Sequence, residues 1–141
     1  MNRREATRLL RSLEFPCGDY AVFGSAPLLM RGITESVADL DLISRGPAWE
    51  EAMEKSTPTH LAEHGITVCS FFAGLVTVGN SWAYGHPDID RLIDTADTID
   101  GLPFVRLEHV AEYKRTAGRS KDLEHLDKLQ TWLGQGGGGD H

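Results

Sequence analysis

Asp39 and Asp41 alternate with Leu40 and Leu42 in the run Ala38-Asp39-Leu40-Asp41-Leu42-Ile43. Apolar residues at every second position predict a strand, whose side chains alternate between two faces. The two carboxylates therefore share one face, while both leucines enter the core. Carboxylates in an apolar strand are costly to desolvate unless a counter-charge lies beside them. Metal ions commonly supply it, and this spacing suits one or two Mg²⁺ ions held by Asp39 and Asp41. Upstream, the apolar run Tyr20-Ala21-Val22-Phe23 predicts a buried strand that ends at Gly24. Ser25 is placed to cap the short helix that follows, with Pro27 in its first turn. Backbone N–H groups at a helix start attract phosphate, and glycine lets a phosphate approach closely. Gly24 and Ser25 thus read as a triphosphate cradle beside a metal site. Phosphoryl or nucleotidyl transfer needs that combination, because positioning and charge neutralisation do most of its work.

The rest of the chain reads as one α/β or α+β domain over residues 1–133, followed by a flexible glycine-rich tail over 134–141. Leu9, Leu10, Leu13 and Phe15 give residues 3–14 an amphipathic helical pattern closed by Pro16 and Gly18. Gly46-Pro47 opens a helix through Ser56, and Thr57-Pro58 restarts a shorter one up to Gly65. The runs Ile66–Phe72 and Leu75–Gly79 predict a hairpin turning at Ala73-Gly74. A helical turn is expected over His86–Ala96, and an edge strand or strand pair over Asp97–Leu107, interrupted by Gly101 and Pro103. Two helices close the chain, Glu108–Ala117 and Ser120–Leu133, with Ser120 as the expected cap of the second. The whole is expected to form a mixed sheet with helices mainly on one side, and strands 20–24 and 38–43 as neighbours.

The formal net charge of −7 argues against broad nucleic-acid binding but leaves room for a local basic pocket. Cys17 and Cys69 are too few for a disulfide framework, and no segment has signal-peptide or membrane-span character. The expected setting is therefore cytoplasmic, with no membrane contact.

In its motifs the chain resembles the nucleotidyltransferase superfamily of the DNA polymerase beta-like fold. That family's signature is a Gly-Ser or Gly-Gly turn, a short helix, and a strand carrying Asp-x-Asp. Here these are Gly24-Ser25, then Arg31-Gly32, then Asp39-Leu40-Asp41. A second block, Glu112-Tyr113-Lys114 through Arg119-Ser120-Lys121-Asp122, matches the helix lysine and Arg-x-Lys-Asp of minimal bacterial members. The resemblance spans roughly residues 19–130. It implies that Asp39 and Asp41 are catalytic and hold Mg²⁺, and that Gly24, Ser25, Lys114 and Arg119 bind a nucleoside triphosphate. It further implies transfer of a nucleoside monophosphate to an acceptor hydroxyl, with release of pyrophosphate. Family acceptors include antibiotics, RNA ends and proteins, among them toxins of toxin–antitoxin pairs. Without a second domain to hold a large acceptor, a partner protein or a homodimer is expected to complete the site.

One family element is missing. The third catalytic carboxylate belongs on a later strand, yet residues 65–87 contain no Asp or Glu. Asn80 is the nearest substitute and is no base. Asp88, Asp90 and Asp94 follow, on an expected loop or helix outside reach of an acceptor hydroxyl. This departure supports a rival reading: a catalytically lapsed nucleotidyltransferase fold serving as a binding or antitoxin-like module. Arg31 is placed either to pair with Asp39 or to reach a phosphate. His60-Leu61-Ala62-Glu63-His64 matches a zinc-binding helix pattern, though an ordinary solvated helix face accounts for it as well.

Overall fold

The computed structural model describes residues 1–82, 84 and 87–135; most of the expected tail, residues 136–141, lies outside the described residues. Helix α1 (Arg3–Leu13) begins in a capping box. Asn2 Oδ1 accepts from the Glu5 backbone N–H at 2.9 Å, and the Glu5 carboxylate accepts from Asn2 N–H at 3.1 Å. Its buried residues Ala6, Leu10 and Leu13 recur at helical spacing and press onto the sheet.

Strand β1 (Tyr20–Phe23) is buried at all four positions, because both of its faces are covered. Tyr20 and Val22 join the core beneath α1 and α3 (Gly46–Lys55). Ala21 and Phe23 join a second core with α4 (Ile89–Asp94) and α5 (Leu107–Ala117). Helices therefore cover both faces of the sheet, where the sequence suggested mainly one; a run of four apolar residues without alternation was the signal. The short α2 (Ala26–Leu29) sends Leu28 to Ala111 of α5 and Leu129 of α6 (Ser120–Gly134). That third cluster fastens the final helix behind the Gly24-Ser25 turn.

The remaining strands are β2 (Leu40–Ser44), β3 (Thr59–Leu61), β4 (Ile66–Phe71), β5 (Val76–Gly79), β6 (Asp97–Ile99) and β7 (Leu102–Phe104). They form one mixed seven-stranded sheet in the order β3-β4-β5-β2-β1-β7-β6. β2 runs antiparallel to β1, with Phe23 opposite Asp41, and parallel to β5, with Asp41 opposite Thr77. Residues 20–24 and 38–43 thus lie on neighbouring strands as expected, and β4–β5 and β6–β7 are both hairpins.

Two expectations about helices outside the Gly24 turn fail. Residues 59–64 are not a helix: Thr59–Leu61 pair with Ile66–Val68, and a turn follows. Thr57-Pro58 breaks α3, and Gly65, at φ +66°, closes a tight hairpin rather than a helix. His60 and His64 consequently share no helix face; His60 contacts Thr67 Oγ1 and His64 packs against Tyr84. Ser120 is the first residue of α6 rather than its cap. Arg119 takes the cap position, and its N–H donates to the Asp122 carboxylate at 3.2 Å.

Candidate functional site

The site gathers where β1, α2, β2, α5 and α6 meet. Gly24 has φ +62°, a conformation glycine adopts without penalty, and this swings the chain from β1 into α2. A Cβ at Gly24 would lie 2.7 Å from Asp41 Oδ2, so the turn and the carboxylate are in contact. Only glycine lets the backbone sit this close to Asp41.

Asp41 stands in β2, half-buried, on the face that carries Phe23 and Ile43. Asp39 lies one residue before the strand and is exposed, not inside the strand as the alternation suggested. Burial, and then the nearby charge of Asp39, push the Asp41 carboxyl up to about 6. Lys121, Arg119 and Lys114 draw it back down without cancelling that rise. An incompletely compensated carboxylate beside a second one is a place where a divalent cation lowers the energy.

The two carboxylates fit Mg²⁺. That ion needs only one or two protein carboxylates when phosphates and waters complete its octahedron. Among the described residues no group of three or more His, Cys, Asp or Glu side chains could hold a metal. The donors fit an ion shared with a substrate rather than one caged by protein alone.

Ser25 does not cap α2. Its hydroxyl turns to α5 and α6, accepting from Lys114 Nζ at 3.0 Å and lying 3.2 Å from His125 Nδ1. Because α2 has four residues, its aligned peptide dipoles are a small source of positive potential. Attraction for an anion falls instead to side chains. Lys114 is almost fully buried and touches Ser25, His125 Nδ1 at 3.1 Å and Asp122 Oδ1 at 3.5 Å. Burial pulls its ammonium below the usual lysine range, and Asp122 only partly restores it.

Asp122 is fully buried at the first turn of α6. Burial alone would raise its pKa, but Arg119, donating from Nε at 2.7 Å, and Lys114 hold it below the ordinary carboxylate range. Arg119 is thus the closer partner of Asp122, and it also lies over the Tyr84 ring, 5.1 Å from its centroid. Next to Phe23, a cavity of about 150 Å³ opens between β1, α4 and α5, walled in part by Tyr84, Asp88, His109, Glu112 and Tyr113.

Gly24, Ser25, Asp39, Asp41, Lys114 and Arg119, six residues chosen from sequence, are brought to one place. Lys121, noted there only as part of a motif, acts on Asp41 as well. His125 escaped sequence reasoning. One signal was present: it follows Asp122 by three residues and so shares its helix face.

Other candidates are occupied elsewhere. Arg31 pairs with Asp97 and donates to Pro27 O, reaching neither Asp39 nor an open phosphate position. Asp88 caps α4 through Arg91 N–H at 3.2 Å. Asp90 and Asp94 bind Arg45 at 2.9 and 2.6 Å. On β5 the residue opposite Asp41 is Thr77, and Asn80 lies past the other end of that strand.

Among solved structures, the chain is similar to a "putative nucleotidyltransferase" from Thermotoga maritima, at 18% identity, with a TM-score of 0.61 over 96% of each chain. No family model and no curated protein matches the sequence. The fold is therefore nucleotidyltransferase-like, shared with that structure along nearly the whole of both chains. No helix among the described residues is long and apolar enough to cross a membrane.

Proposed function

We propose that the protein is a Mg²⁺-dependent nucleotidyltransferase that moves a nucleoside monophosphate from a nucleoside triphosphate to an acceptor hydroxyl. The observation that carries this reading is the contact between the Gly24 turn and Asp41, with Lys114 bonded to Ser25 beside them. Asp39 and Asp41 would hold the metal. Magnesium, when bound, would neutralise phosphate charge and orient the α-phosphorus for in-line attack. Gly24 leaves backbone room for the triphosphate, and the Ser25 hydroxyl and Lys114 ammonium bind its oxygens. Arg119 and Lys121 extend the positive field over the same space.

The acceptor is a hydroxyl of a protein, an RNA or a small molecule, with a partner protein or a second copy of the chain as the means of presenting it. A cytoplasmic setting, and service in a toxin–antitoxin pair, belong to the same proposal. Calorimetry with each nucleoside triphosphate, with and without Mg²⁺, tests the site. Incubation of labelled triphosphate with host lysate tests the transfer. Metal-dependent binding and a labelled acceptor, both lost in Asp41→Ala, are the expected result.

A specific observation favours the second reading, a lapsed fold that binds nucleotide or a partner without transfer. Thr77 stands where a base would flank Asp41, and Asp88, Asp90 and Asp94 are committed to α4 and Arg45. Triphosphate binding with no transfer to any acceptor would select this module.

A further inference from the structure

Ser25 Oγ, Lys114 Nζ and His125 Nδ1 form a triangle with sides of 3.0, 3.1 and 3.2 Å. Its three corners come from the turn before α2, from α5 and from α6. We propose that His125 is a proton-gated third member of the phosphate cradle: neutral, it accepts from Lys114; charged, it binds a phosphate oxygen. The inference rests on the nucleotide-site reading above and extends it to a residue the resemblance does not include.

The hydrogen-bond inventory carries the argument. A neutral imidazole that accepts at Nδ1 has one lone pair there and its proton on Nε2. Two donors, the Lys114 ammonium and the Ser25 hydroxyl, converge on that single lone pair. Lys114 has three N–H groups: two meet Ser25 and His125, and Asp122 lies at ion-pair distance, 3.5 Å, from the same ammonium. A phosphate oxygen approaching Lys114 competes with these three partners for its ammonium. Asp122 is fully buried and fixed by Arg119, so it is held in place. His125 is half-buried, and among the described residues both of its ring contacts, to Ser25 and Lys114, fall on Nδ1.

Protonation of His125 removes its lone pair, frees one Lys114 N–H and adds a second cation. With the cradle empty this sets two positive charges about 3.1 Å apart and is unfavourable. A triphosphate between them reverses the sign. The groups facing His125 are Lys114 from α5, Ser25 from the turn, and Asp122, Glu124 and Lys128 along its own helix. Burial, then Lys114 and Lys128, hold the free imidazole below its ordinary range, and Asp122 and Glu124 offset this only in part. Triphosphate binding therefore draws a proton onto His125, and affinity rises as pH falls.

The test uses the full chain, sodium tripolyphosphate and EDTA. Calorimetry at pH 6.5, in buffers of differing ionisation enthalpy, counts the protons exchanged for wild type and His125→Gln. The ligand's own proton balance, and any from Asp41, cancel in the difference between the two. Wild type should take up about half a proton more than the variant. Its affinity should also climb more steeply from pH 8 to pH 6, by up to about tenfold per unit where coupling is complete. In wild type alone, the His125 ring resonance should show a titration midpoint that moves up when tripolyphosphate is added. Equal proton uptake in wild type and a folded variant, or an unmoved midpoint, overturns the proposal. Should the variant not fold, the wild-type resonance decides. Failure of wild type to bind tripolyphosphate, or binding indifferent to Lys114→Met, removes the nucleotide-site reading itself and this inference with it.

Discussion

The two ends of β2 are both crowded with carboxylates, and they treat them oppositely. Past the C-terminal end, Arg45 gathers Asp19, Asp90 and Asp94 at 3.6, 2.9 and 2.6 Å and also donates to Gly18 O. The hydrogen bonds it donates to the Asp94 and Asp90 carboxylates hold its guanidinium firmly charged. About 13 Å away, four residues back along the strand, Asp41 stands with Asp39 and, among the described residues, bonds to no cation. Its three basic neighbours act through space and leave its carboxyl pushed up to about 6. A carboxylate kept for structure is given a partner by the chain. One left in deficit, as Asp41 is, is a candidate for holding a ligand, and the proposed function assigns it that part.

The largest expected effect tests that division directly. Asp41→Ala should weaken Mg²⁺-dependent triphosphate binding by roughly a hundredfold or more, whereas Asp94→Ala should leave it within about twofold. Comparable losses in both, measured by calorimetry, would erase the distinction between the ends.

Glycine sharpens it next. Gly24 and Gly18 flank β1, and both have positive φ, +62° and +93°. A Cβ at Gly24 meets Asp41 Oδ2 at 2.7 Å, while one at Gly18 meets nothing within 4 Å. Gly18→Ala should therefore cost about 1 kcal/mol of backbone strain, and Gly24→Ala about 2–3 kcal/mol together with triphosphate binding. Chemical denaturation gives both numbers.

The third effect is a gain. Asp41 titrates near 6 in the folded protein and near 3.8 when unfolded, so folding favours its protonated form. That contribution is present below pH 3.8 and is lost as pH rises through 6. Asp41→Asn, in EDTA, should match wild type below about pH 4 and exceed it by about 3 kcal/mol above pH 7. Millimolar Mg²⁺ with a triphosphate should narrow the gap by stabilising wild type alone. A variant less stable than wild type at pH 8 would show that Asp41 is already compensated.

At the other end the effect is smaller and opposite in sign. Arg45→Gln should destabilise by about 1 kcal/mol, and 1 M NaCl should shrink that loss, since its nearer partners, Asp90 and Asp94, are exposed. Thermal melts at two salt concentrations would report it.

How much of this was legible follows the reach of each signal. The Asp-x-Asp alternation, the glycine turn and the α5–α6 motif are local patterns, and each led to residues that meet in space. The β4–β5 hairpin announced itself through Ala73-Gly74, whereas Gly101 and Pro103 left an edge strand or a strand pair open for β6–β7. Residues 59–61 were misread because three strand residues are too few to show a period, and their pairing with β4 decided the matter. Arg31 and Asp97 are 66 residues apart, and nothing local links them. His125 belongs to the same class: its meeting with Ser25 depends on how α6 docks, through Leu28, Ala111 and Leu129. Carboxylates are easily seen in sequence, but their partners are set by packing.

The contacts that join Ser25 to Lys114 and His125 close loops of 89 and 100 residues. On a ribosome adding about 5–20 residues per second, the acidic half of the site leaves the tunnel several seconds before its basic half exists. The neighbour that seals β1 on its far side, β7, is also late, pairing Val22 with Phe104. A nascent chain therefore carries the Gly24 turn and both aspartates, exposed and uncompensated, with nothing to grip a nucleotide. On the proposed reading, a nucleotide could bind only once α6 has docked, and would then favour finished molecules over partial ones.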